Sequence, residues 1–174
     1  EYCGFEVKHV MNVTDLDDNT IQESIKRGVT LKELTDQNTD AFMACLDQLS
    51  VKHAWKYPRT SEHIDDMASF ARQLVDKGYA YERLRSVYFD IGKFPKYGVL
   101  SGLDLSKIKV GATVDLDEYD KEDPRDFTLF KRATLAEMAR DIFYETDWGN
   151  VRPSWHVQCA AMSTRYLGEE LDIH

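Results

Sequence analysis

"FEVKHVMNVTDLDDNTIQESIKRG", residues 5–28, decides the fold class because its hydrophobic period changes once along its length. Up to Val13 it mixes alternation with a short apolar run, the pattern of a largely buried strand. Beyond Val13, Asp15, Asp17 and Asp18 stand where helix N-caps and first turns favour acids. Ile21 and Ile25 then share a face four residues apart, and Gly28 supplies a stop. A strand that turns directly into a helix predicts an α/β fold. Ligands of open α/β sheets lie at the carboxyl ends of strands, so Asn12 and Thr14, small polar residues at that end, are expected to face a site. The aspartates could also hold magnesium, but the stretch lacks the glycine and distal glutamate of an EF-hand loop, and capping accounts for them.

Working outward, a second helix is expected from about Thr30, with Leu31, Leu34, Ala41, Phe42, Cys45 and Leu49 near one face. "YPRT", 57–60, breaks it. A third helix follows Ser61 as N-cap, carrying Ile64, Met67, Ala68, Ala71, Leu74 and Val75 at helical spacing before Gly78. The period then changes. Residues 79–91 read as two short strands, Tyr79 and Tyr81 before a polar turn and Val87 and Phe89 after it. Residues 94–126 are rich in loop formers and acids, and the acidic run 115–126 reads as a solvated loop. "DFTLFK", 126–131, resembles another short strand. These shifts predict a core segment over 1–78, a loop-rich α+β insertion over 79–148, and a return to the core over 149–174.

Composition narrows the function classes. The chain has 174 residues, of which 43% are hydrophobic and 30% charged, which suits a globular domain or a core with a sizeable insertion. A net charge of −9 disfavours a broad nucleic-acid-binding face, although a local patch could still meet RNA. Cys3, Cys45 and Cys159 are widely spaced and odd in number, which fits reduced thiols rather than a disulfide framework. No apolar run approaches the ~20 residues of a membrane span, and "EYCGFEVKH" is neither a signal nor a transit peptide, so a soluble, cytoplasmic protein is expected. The sequence opens on Glu1 rather than Met, and is expected to be a piece of a longer protein.

The residues with most chemical character lie in "RPSWHVQCAAM", 152–162. His156 and Cys159 form H-x-x-C, compatible with two ligands on one helical turn, but a zinc site needs about four donors. Cys159 equally suits a small buried hydrophobe, or the thiol of a Cys/His pair with His53, His63 or His174 as partner. Trp155 can fill the edge of a core, and His174 can be no more than a strand end. Taken locally, these alternatives stay open.

The wider pattern is more specific. "NVTDLDDNTI", "YGVLSGLDL", "DPRDFTLFK", "DWGNVRPSWHVQCAAM" and "LGEELDIH" occur in that order, and over essentially its whole length the chain resembles the middle of cysteinyl-tRNA synthetases. The corresponding family motifs read approximately N-I-T-D-V-D-D-K-I, D-F-x-L-W-K, R-P-G-W-H-I-E-C-S and D-I-H. Departures are Asn19 for lysine, Phe130 for tryptophan, Ser154 for glycine, Gln158 for glutamate and Ala160 for serine. Gln158 removes a carboxylate beside Cys159, which is expected to alter local charge.

The resemblance implies part of a class I Rossmann core, split by an insertion, in an enzyme that activates cysteine with Mg-ATP and transfers it to tRNA(Cys). It implies zinc in the amino-acid pocket, with Cys159 as the one ligand within this chain. It implies that Thr14 contacts the polar backbone end of the substrate, that Trp155 closes over it and that His174 lines the thiol pocket. A monomer is implied, and no catalytic residue is assigned here, because the HIGH and KMSKS signatures do not occur in these 174 residues. The alternatives are a relative that uses the same core to acylate an amino-sugar in thiol-cofactor synthesis, or a non-catalytic module.

Overall fold

The computed structural model describes residues 2–102, 121–123 and 125–174. Residues 115–120 and 124 of the acidic run therefore lie outside the described residues. The chain is mixed α/β, as expected, and divides into two compact units, one of residues 1–67 with 158–174 and the other of residues 68–157.

In the first unit, helix α1 (Asp18–Arg27) starts at an N-cap made by Asp17, whose carboxylate accepts from the Thr20 amide at 2.7 Å while the Thr20 hydroxyl receives the Asp17 amide. This reciprocal capping satisfies two amides that the helix cannot pair internally. Gly28 ends it in the left-handed conformation (φ 68°), returning its amide to Ile25. Helix α2 (Leu31–Gln48) begins the same way, with Thr30 and Glu33 as the reciprocal pair. Helix α3 (Ile64–Asp76) follows a single 3₁₀ turn, Thr60–Glu62, and belongs to this unit only as far as Met67.

Four expectations for this unit are corrected. Residues 5–13 are not a buried strand: residues 5–9 are exposed, and only Val10 and Val13 make β-bridges, parallel to Lys56 and Arg59. A strand is stabilised by its neighbours, and this segment has one short partner. Ile25 and the stripe Ala41, Phe42, Cys45 and Leu49 are exposed, whereas Ile21 and Leu34 are buried. Ser61 does not stand at the start of α3, which begins at Ile64; it lies within the 3₁₀ turn, and its amide and hydroxyl both donate to Asp15, at 3.0 and 2.6 Å. Asp15 in turn belongs to no cap; it is buried, spanning residues 46 apart.

The second unit holds a five-stranded antiparallel sheet, spatial order β1-β2-β3-β5-β4. Its strands are β1 (Ala80–Arg83), β2 (Ser86–Phe89), β3 (Phe127–Arg132), β4 (Tyr144–Thr146) and β5 (Gly149–Pro153), with a short helix α4 (Leu135–Met138) before β4. Leu84 and Arg85 join β1 to β2 with both φ values positive, 50° and 67°, the conformation of a type I′ hairpin, here without the usual Asn-Gly. Val87, Tyr88, Leu129, Phe130 and Val151 are buried, and Phe130 stacks obliquely on Trp148 at 5.4 Å. Asp126 anchors the start of β3 by accepting from the Ile91 amide and the Tyr81 hydroxyl. Burial holds that phenol far above its usual range. Arg152 and Glu137 form a largely buried ion pair at 2.6 Å. Helix α5 (Trp155–Leu167) follows β5. No helix among the described residues is long and apolar enough to cross a membrane.

Candidate functional site

The site begins with three backbone hydrogen bonds. Met11 and Val13 donate to the carbonyls of Lys56 and Pro58, at 3.1 and 2.8 Å, and Thr60 donates to Val13 at 3.1 Å. These fix the main chain on both sides of Asn12 and leave its side chain, with that of Thr14, directed by the alternation of an extended segment. The Asn12 amide donates to the Thr14 hydroxyl at 3.0 Å.

Cys159, on α5, meets this segment from 147 residues away. Its thiol donates to the side-chain Oδ1 of Asn12 at 3.7 Å, a separation suited to sulfur. The thiol is half-buried, and burial pushes it above its ordinary value, so the neutral S–H is favoured. The reading of Cys159 as an activated nucleophile gains nothing from this. Its proposed histidine partners are engaged elsewhere: His53 Nε2 meets Asp47 at 2.9 Å, and His63 is buried between the Arg59 carbonyl and the Tyr166 hydroxyl, each 2.7 Å away. A carbonyl can only accept, so His63 donates to it from Nδ1, and its Nε2 is engaged by the Tyr166 hydroxyl. His174 is exposed.

Gln158, next to Cys159, has a role that sequence reasoning missed. It is almost wholly buried at 1% exposure, its Nε2 donating to the Leu16 carbonyl at 2.9 Å and its Oε1 accepting from the Thr60 hydroxyl at 3.1 Å. An ionised glutamate could accept from Thr60 but could not donate to Leu16. Beyond the change of charge expected from the sequence, the amide supplies a tie between segments 142 and 98 residues apart. Nothing in a single sequence distinguishes such a tie from a surface glutamine.

The second unit contains the first half of the motif 152–162. Trp155, the first residue of α5, is 59% exposed, and the His156 ring lies 4.5 Å from that of Phe127. The structure thus joins Thr14 to Cys159 through Asn12, and makes no such link for His174. Among the described residues no group of three or more His, Cys, Asp or Glu side chains could hold a metal ion. Cys159 is chemically suited to zinc as one soft donor, and a structural or catalytic zinc site needs at least two further protein donors.

The chain is similar to known proteins over its whole length. A family model described as "tRNA synthetases class I (C) catalytic domain" matches residues 1–174. Proteins named cysteine-tRNA ligase from Methanosarcina acetivorans, Carboxydothermus hydrogenoformans and Pyrococcus furiosus are 50%, 43% and 42% identical to it over 174 residues. Each match covers 100% of this chain and 35–37% of the relative, so the chain spans a little over one third of the length of these proteins. Seen with the mixed α/β fold, a match that runs from the first residue to the last leads to one assignment: the chain belongs to the class I (C) tRNA synthetase catalytic domain family.

Proposed function

We propose that this chain is part of an ATP-dependent ligase that activates cysteine and joins it to tRNA(Cys), acting as a monomer in the cytoplasm. The observation that carries the reading is the link Thr14–Asn12–Cys159, which brings a hydroxyl and a thiol from opposite parts of the chain to one amide. The similarity to relatives named cysteine-tRNA ligase supports the same substrate. Residues 1–78 and 149–174 are proposed as core segments and residues 79–148 as an insertion between them.

Within that core, Thr14 orients the polar backbone end of the amino acid through its hydroxyl. Trp155, exposed at the start of α5, closes over the bound substrate, and His174 lines the pocket for its thiol. Cys159, together with donors outside this chain, holds zinc. Bound zinc supplies a soft Lewis acid that takes a thiolate in preference to a hydroxyl, a distinction from serine that an apolar pocket makes poorly. ATP is the second substrate: the amino-acid carboxylate attacks its α-phosphate, the α–β anhydride bond breaks and pyrophosphate leaves, so the residues of this chain contribute chiefly by positioning.

Cys159→Ser in the full-length protein tests the assignment. The variant is expected to lose zinc by elemental analysis and to lose selectivity for cysteine over serine by about tenfold or more, with ATP binding kept. A variant that retains stoichiometric zinc and unchanged selectivity overturns the proposal.

A further inference from the structure

Asn12 lies between the two side chains to which the proposed function gives opposite ends of the substrate. Its Nδ2 donates to Thr14 at 3.0 Å and its Oδ1 accepts from Cys159 at 3.7 Å. Both ends of this bridge are anchored independently of it. The backbone around Asn12 is pinned to residues 56–60, and α5 beside Cys159 is pinned by Gln158 to Leu16 and Thr60. What the anchors leave undetermined is the side-chain torsion of Thr14 and of Cys159. A planar amide with a donor and an acceptor a few ångströms apart fixes both at once.

We infer that Asn12 is a positioning residue: its amide sets the Thr14 hydroxyl and the Cys159 sulfur in register, so that the two ends of one small amino acid are recognised together. The role rests on the proposed function for its substrate and on the geometry alone for the bridge. The amide is also indifferent to the state of the sulfur. Turned over, it offers N–H to sulfur and oxygen to the Thr14 hydroxyl, and the bridge persists. Leucine fills the same space and can do neither.

The test is a pair of double-mutant cycles in the full-length protein. Asn12→Leu is expected to raise KM for cysteine about tenfold, the scale of one lost hydrogen bond, with kcat and KM for ATP within about twofold of the parent. Placed on Thr14→Val, where the bridge is already cut, it is expected to add no more than about a further twofold. In the second cycle the losses of thermal midpoint from Asn12→Leu and Cys159→Ala, with metal removed, are expected to sum to more than the loss in the double variant. Additive losses in the thermal cycle overturn the bridge, and an equal rise in KM for ATP overturns the positioning role. Asn12→Ala carries the same cycles should Asn12→Leu not fold. The thermal cycle needs no substrate, so it decides the bridge whatever Cys159→Ser says of zinc and cysteine.

Discussion

The two units of the chain are held by different means. In the unit of residues 68–157 the core is an antiparallel sheet whose outer pairs, β1 with β2 and β4 with β5, are neighbours in sequence, and whose centre is apolar around Phe130. In the unit of residues 1–67 and 158–174 the recurring contacts are polar and distant: Asp15 with Ser61, Gln158 with Leu16 and Thr60, His63 with Tyr166. The difference is one of tolerance. An apolar core loses stability in proportion to the volume removed, whereas a buried polar tie leaves a desolvated orphan when either partner is lost. In the second case the damage falls next to Asn12, Thr14 and Cys159.

Three variants sharpen the contrast, read by denaturant unfolding of the full-length protein. Phe130→Ala removes a fully buried ring from the central strand and is expected to cost about 3–5 kcal/mol, and a loss below about 1 kcal/mol would show that the sheet is not the source of stability in its unit. Gln158→Leu keeps the volume and deletes both hydrogen bonds, at an expected cost of about 1–3 kcal/mol. A neutral result would break the contrast, since it would mean that the polar tie is replaceable by packing. The smallest effect is a gain. Leu84→Asn with Arg85→Gly gives the β1–β2 turn residues suited to positive φ and is expected to raise stability by about 1 kcal/mol, detectable as a higher unfolding midpoint. No gain would indicate that Leu84 and Arg85 make contacts that offset their strain.

The contrast also explains what could be read in the sequence. Asp17, Thr30 and Gly28 act through neighbours three or four residues away, and these helix limits were legible for that reason. The strands around the Leu84–Arg85 turn and the strand following Asp126 were legible from alternation. Strand β5, which ends at Pro153, was not: it overlaps the motif of Trp155 and Cys159, whose chemical content hid its β pairing with Phe130. Asp15 reads as a capping residue until Ser61 is known to lie beside it. Thr14 and Asn12 could be placed near a site by fold class, and Cys159 could be singled out by its motif. That one amide touches both is a fact about residues 147 apart, which no local period encodes.

Gln158 has a last consequence, in time rather than space. Leu16 emerges from the ribosome 142 residues before the amide that will cover its carbonyl, and Thr60 emerges 98 residues before it. At ~5–20 residues per second, Leu16 waits roughly 7–28 s for its partner, long enough for α1, α2 and the β1–β2 hairpin to form and re-form many times. During synthesis the Asn12–Thr14 segment is therefore made early and completed late, after every strand of the sheet has been translated. A nascent chain stalled before residue 158 can already make the capped helices, the hairpin and the backbone bonds of Met11 and Val13 to Lys56 and Pro58, and lacks only the amide that covers the Leu16 carbonyl and meets Thr60.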